Sequence, residues 1–193
     1  MKSRSFVVSA VLLATLILST GSARAHVLDD GKSGPVMINL KIGPAIEVYH
    51  SHTQFAMTLE GMYAVLVTKF GDLYVGLPLT FQFAGAGTFI EIPAAAQFDV
   101  RLPVKNLYIV TQLHIGYAVF IPSDNDTCLF GFCTTIKGGD AVHYGVITPQ
   151  LGLKYAIKGR GNVGIDIFQL PIYFNSDGAA LQYRIMFYGG VNF

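Results

Sequence analysis

From Val36 to the C-terminal Phe193, apolar and polar residues alternate with a period of two in one segment after another. That spacing puts successive side chains on opposite faces of a β-strand. Eight strands are predicted. The first, Val36 to Tyr49, has Val36, Ile38, Leu40, Ile42, Ile46 and Val48 on one face, with Asn39, Lys41 and Glu47 on the other. The second, Gln54 to Val67, sets Phe55, Met57, Leu59, Tyr63, Val65 and Val67 against Thr58 and Glu60. In the third, Asp72 to Phe83, Leu73, Val75, Leu77, Leu79, Phe81 and Phe83 oppose Tyr74, Thr80 and Gln82.

The fourth, Thr88 to Pro103, places Phe98, Val100 and Leu102 against Gln97, Asp99 and Arg101. A bulge or break is expected near Pro93, because proline cannot donate to a ladder. The fifth, Asn106 to Ile121, opposes Leu113, Ile115 and Tyr117 to Gln112 and His114. The sixth, Val142 to Ile157, opposes Ile147, Leu151, Leu153 and Tyr155 to Thr148, Gln150 and Lys154. The seventh, Asn162 to Phe174, sets Val163, Ile165 and Ile167 against Asp166. The eighth closes the chain, with Tyr183, Ile185, Phe187, Val191 and Phe193 on one parity and Gln182, Arg184 and Asn192 on the other.

Connections after strands two, four and six are short (around Lys69 to Asp72, Val104 to Asn106 and Lys158 to Asn162), and at the other end only Pro122 to Ala141 is long. Strands of about eleven residues tilted by ~40° match the ~30 Å hydrocarbon layer of a bilayer. Lipid offers no hydrogen-bond partner, so strand eight must pair with strand one. The expected fold is therefore all-β, an eight-stranded antiparallel up-and-down transmembrane β-barrel. An even strand count puts both termini at the short-turn end and the long loop outside.

Composition agrees. The apolar fraction is 52% and the mean hydropathy +0.48, yet after the first twenty residues no apolar run is long enough for a transmembrane helix. A soluble eight-stranded barrel of the lipocalin kind would turn its apolar face inward around a ligand. The hydropathy and a strand that ends on Phe193 favour the membrane version.

The N-terminus points the same way. Lys2 and Arg4 form a basic start, Phe6 to Thr20 an apolar run, and Ala23-Arg24-Ala25 an A-x-A cleavage site. This reads as a secretory signal peptide over residues 1–25, with a mature barrel domain over 26–193. Losing Lys2, Arg4 and Arg24 leaves ten basic residues against 12 acidic ones, a formal charge of about −2. No basic field for nucleic acid remains.

The terminal strand resembles the last strand of bacterial outer-membrane β-barrels, where a terminal Phe closes an amphipathic segment. The whole pattern resembles the small eight-stranded barrels of the OmpA transmembrane-domain type. That resemblance implies an outer-membrane location in a Gram-negative cell, after signal-directed export. It also implies that Tyr183, Ile185, Phe187, Val191 and Phe193 serve as the insertion signal read by the barrel-insertion machinery. Contacts with outer-membrane lipid and lipopolysaccharide follow. The chain has no tryptophan, so Tyr63, Tyr117, Tyr155, Tyr173 and Phe174 would form the aromatic girdles.

The inward parities gather Lys41, Glu47, Glu60, Asp99, Arg101, Lys154, Asp166 and Arg184 in the lumen, with Glu91, Gln82, Gln112, His114, Gln150 and Gln182 as further candidates. Four of these eight are basic and four acidic, and buried charges are tolerable only when paired. Arg184 could take its acid from Glu47, Glu60, Asp99 or Asp166. The network would plug an interior just wide enough for side chains, with a narrow ion path as the alternative.

Cys128 and Cys133, in the long loop, are expected to form a local disulfide in an exported protein. Cys128-Leu-Phe-Gly-Phe-Cys133 supplies too few ligands for a metal. That loop, with Leu129, Phe130 and Phe132 between the cysteines, is either a stiffened surface segment or a contact site for a surface partner. A lipid A-modifying enzyme is the rival reading, resting on His50-Ser51-His52 and His143 near predicted external strand ends. No nucleophile–base–orienter motif falls on a strand face. The sequence thus points to a structural or surface-interaction role without intrinsic catalysis, cofactor or metal.

Overall fold

A computed structural model describes residues 35–48, 53–84, 87–122, 140–157 and 161–193. The signal segment, His50-Ser51-His52, Cys128 and Cys133 lie outside the described residues. Among those described, the secondary structure is entirely strand: β1 (Val36–Glu47), β2 (Thr53–Val67), β3 (Gly71–Ala84), β4 (Gly87–Arg101), β5 (Leu107–Pro122), β6 (Val142–Ile157), β7 (Gly161–Gln169), β8 (Ile172–Asn175) and β9 (Gly178–Asn192). Every neighbouring pair is antiparallel and consecutive staves lie side by side. β7 and β8 are two halves of one stave, since both lie between β6 and β9. β1 pairs with β9 from Met37↔Asn192 to Glu47↔Gln182, so the eight staves close without an edge.

The two faces separate as the period of two requires. Leu40, Leu59, Leu77, Ile92, Ile115 and Phe187 are exposed on the outer face, while Lys41, Glu60, Gln82, Glu91, His114 and Arg184 are buried inside. Lipid, not water, is the solvent that fits such an exterior.

Three local departures decide which side chains reach the interior. Between Ala64 and Leu66 the β2–β3 register shifts by one residue, a bulge that leaves Val65 unpaired. Leu66 is then exposed, and Val67, expected outside, packs against the inner cluster of Met37, Met62, Ala64, Tyr74 and Ala95.

The seventh stave carries a second shift, between Asp166 and Gln169, that leaves the consecutive Ile167 and Phe168 both facing out. The stave then breaks at Leu170-Pro171, where proline has no N–H to donate. Parity beyond the shift is inverted. Tyr173, expected in the outer girdle, is fully buried in the interior, whereas Phe174 remains outside.

The break expected near Pro93 falls on the β3 side alone, and no bulge accompanies it. β4 keeps one register against β5 from Gly87↔Pro122 to Arg101↔Tyr108. Gly116 lies opposite Pro93, and a Cβ there would collide with the proline Cα and the Ile92 carbonyl. The glycine admits the ring. Toward β3 the pairing pauses between Gly76↔Ala95 and Thr80↔Glu91 without changing register.

Candidate functional site

The chemistry of this protein is concentrated inside the barrel, in layers that run from the short-turn end toward the long-loop end. At the turn end, Arg101 Nη2 of β4 lies 3.1 Å from Asp72 Oδ1 of β3, with the Arg101 side chain 29% exposed. One row further in, the buried Asp99 pairs with Lys154 of β6 and accepts from Gln97 Nε2 at 2.7 Å. Lys154 Nζ also lies 5.2 and 5.3 Å from the ring centroids of Tyr74 and Tyr108. Aromatic faces help to replace the water that this ammonium has lost.

The middle layer is centred on Lys41 of β1. Its Nζ lies 2.9 Å from Asp166 Oδ2 and 3.4 Å from Glu60 Oε2, and donates to Gln112 Oε1 at 3.0 Å. All three ammonium donors thus have acceptors on β7, β2 and β5. Glu60 collects Asn39 Nδ2 at 3.0 Å, the Gln112 amide, and His114 Nε2 at 3.8 Å. Gln169 Nε2 bridges Asp166 and Gln150, and the Gln150 amide nitrogen lies 2.8 and 2.9 Å from the two ring nitrogens of His114.

Toward the loop end, Arg184 of β9 spans the interior to Glu91 of β4. Its Nη1 donates to Glu91 Oε2 at 3.2 Å, its Nη2 to Gln82 Oε1 at 2.7 Å and its Nε to Gln182 Oε1 at 2.8 Å. Tyr173 OH touches both Arg184 and Glu91. A guanidinium fork on a carboxylate is the strong form of such a pair. Above it the polar interior gives way to rings. Phe89 lies 4.8 Å from Phe120 and 5.4 Å from Tyr173 between centroids, and Tyr144 meets Tyr173 edge-on.

The eight charged residues expected inside all lie on the interior face. Lys41 meets Glu60 and Asp166, and Lys154 meets Asp99. Arg101 instead takes Asp72, and Glu47, also buried, sits across from Gln182. Arg184 takes its acid from none of the four expected residues but from Glu91. The pairing crosses the barrel, so it depends on how β4 and β9 are staggered, which alternation cannot report. Asp72 went unnoticed although its even position in strand three already matched the inward parity of Tyr74, Thr80 and Gln82. Tyr173 could not be found that way, because the bulge precedes it.

Among the terminal residues, Tyr183, Ile185, Phe187, Val191 and Phe193 lie on the outer parity, and Tyr183 OH donates to the Ile167 carbonyl at 2.6 Å. His143 also sits outside, hydrogen-bonded through Nδ1 to Tyr117 OH, with the two rings stacked at 5.6 Å. No group of three or more His, Cys, Asp or Glu suited to a metal ion occurs among the described residues.

No family model matches the chain, and no curated protein matches it. Solved structures do. Neisserial surface protein A superposes with a TM-score of 0.55 at 12% identity, covering 82% of this chain and 96% of that one. The N-terminal β-barrel domain of Pseudomonas aeruginosa OprF gives 0.52 at 10%, covering 84% and 100%. The outer membrane enzyme PagL gives 0.52 at 12%, covering 81% and 99%. Identities this low carry the fold alone. The chain folds as a closed, eight-stranded antiparallel transmembrane β-barrel of the outer-membrane type. A surface protein and an enzyme share that architecture, so function has to be argued from the side chains.

Proposed function

We propose that this chain is an integral protein of the Gram-negative outer membrane. In this reading it is exported by its signal peptide and inserted through its terminal strand, whose outward Tyr183, Ile185, Phe187, Val191 and Phe193 are the insertion signal. Its role is structural or surface-interactive, without intrinsic catalysis. The barrel holds the disulfide loop of Cys128 and Cys133 against lipopolysaccharide and whatever surface partner it meets. One observation carries this reading: along the barrel wall Lys41, Lys154 and Arg184 turn inward into ion pairs while large apolar side chains cover the outer face.

The interior network supports a plugged lumen. Lys41, Lys154 and Arg184 reach acids on other staves, so an ion passing through would have to part charge pairs in a low-dielectric space. Detergent-folded protein should run differently on a gel before and after boiling, and vesicles containing it should show no large stable conductance. Protein that extracts fully into buffer with no heat-dependent shift would defeat the membrane assignment. Large openings would defeat the plug.

One observation favours the enzymatic rival, a lipid A-modifying barrel: His143 is exposed on the lipid-facing side with a hydrogen-bonded tyrosine beside it. Lipid A mass spectra from cells with and without the protein discriminate the two. An acyl pattern that changes with the protein, and reverts with His143→Ala, would establish catalysis.

A further inference from the structure

The short-turn end of the barrel presents an unusual surface. The β2–β3 turn is built on Thr68, whose N donates to Gly71 O at 3.0 Å and whose hydroxyl accepts from both Phe70 N and Gly71 N at 3.2 Å. Arg101 N donates to Phe70 O at 2.9 Å, which ties this turn to the start of the next. The β4–β5 turn is closed by Leu107 N to Val104 O at 3.2 Å and Leu102 N to Leu107 O at 3.0 Å, and Ala156 N holds Asn106 O at 2.8 Å. Both tips are therefore fixed by backbone bonds, and their side chains are free to point away from the barrel.

What they present is apolar and basic. Phe70 is 70% exposed, the largest exposure of any large apolar side chain among the described residues, and Val104 is 61% exposed. Lys69 Nζ sits 4.8 Å above the Phe70 ring, and Lys105, beside Val104, is exposed. Charge is also sorted along the barrel axis. Among the described residues the exposed lysines, Lys69 and Lys105, are at this end, while the exposed carboxylates, Asp140 and Asp177, are at the other. An apolar tip beside an ammonium suits the boundary between acyl chains and phosphate, where the ring is buried and the amine meets an anion.

We infer that the turns carrying Lys69–Phe70 and Val104–Lys105 form a docking surface for anionic phospholipid, in the membrane leaflet on the short-turn side. Phe70 and Val104 enter the headgroup–acyl boundary, and Lys69 and Lys105 rest on lipid phosphate. The occupant is a lipid rather than free phosphate because the tips are apolar as well as basic. Juxtamembrane lysines favour anionic headgroups electrostatically. The inference rests on the membrane reading above and adds to it a lipid preference and a depth for this end.

The chain contains no tryptophan, so a single introduced indole reports one place. Phe70→Trp, with Val104→Trp as a second tip probe and Leu77→Trp on the outer wall as a control, are folded into phosphatidylcholine vesicles containing phosphatidylglycerol. Folding is verified by the gel shift, and one lipid or the other carries brominated chains. Both tip probes are expected to be quenched, several-fold more strongly by brominated phosphatidylglycerol than by brominated phosphatidylcholine at equal content. Lys69→Gln with Lys105→Gln should abolish that preference. Tip probes with water-like emission and no quenching, while Leu77→Trp is quenched, overturn the inference and leave the membrane reading standing. Equal quenching by both lipids also overturns it. An unquenched Leu77→Trp removes the membrane reading and the inference together.

Discussion

Arg184 and Glu91, 93 residues apart in sequence, meet inside the barrel with Arg184 Nη1 donating to Glu91 Oε2 at 3.2 Å. Two charges removed from water are tolerable only together. Glu91→Ala strands the buried guanidinium and is expected to cost about 3–5 kcal/mol, whereas Glu91→Leu combined with Arg184→Met should restore most of that loss. Urea unfolding in lipid vesicles, followed by the heat-dependent gel shift, measures both. A Glu91→Ala protein as stable as the parent would show that the pair contributes nothing.

Lys41 serves two acids, and its removal should be felt accordingly. Asp166→Asn leaves Lys41 with Glu60, but Lys41→Met leaves two buried carboxylates without their shared cation. The lysine variant should be the less stable by about 2 kcal/mol or more, since uncompensated buried charge is the larger penalty. The same unfolding measurement ranks the two, and the reverse order would reject the assignment of Lys41 as the shared partner.

Gly190 lies between Asn39 and Asn162 in one row across β1, β9 and β7. A Cβ on Gly190 would collide with Asn39 Oδ1 and the Ile38 carbonyl, and Asn39 cannot turn away without releasing Glu60. A Cβ on its neighbour Gly189, which faces outward, would meet nothing nearer than Asn162 O at 3.9 Å. Gly190→Ala should therefore lower stability by about 1–3 kcal/mol, and Gly189→Ala should be close to neutral. Equal effects at the two positions would mean that β1 and β9 do not close in this register.

The two bulges make opposite predictions from simple alternation. A lipid-soluble thiol reagent should label Leu66→Cys and Phe174→Cys and spare Val67→Cys and Tyr173→Cys. Strands without bulges would give the reverse at both pairs.

Most of the barrel was legible in the order of residues. Along β1, β3, β5, β6 and β9, alternation alone assigns the face of nearly every side chain, because a strand has a period of two whatever surrounds it. The closure of β1 on β9 followed from the absence of hydrogen-bond partners in lipid. Alternation failed where one residue was inserted. Val65 and the Ile167–Phe168 pair leave no composition signal, yet each turns everything beyond it to the other face. Pro93 signalled a break but not its side: the ladder is interrupted toward β3, while Gly116, on a different strand, lets the pairing with β5 run through.

Thus the sequence by itself determined that the chain forms eight staves, that its apolar side faces outward, and which charges must be buried. Those properties depend only on local geometry and on the solvent each face meets. The partners were decided by the tertiary structure. Arg184 is drawn to Glu91 and Tyr173, and Arg101 to Asp72, through the stagger of whole staves around a closed ring. Stagger is a collective property: every ladder must be satisfied at once before any two side chains inside can meet.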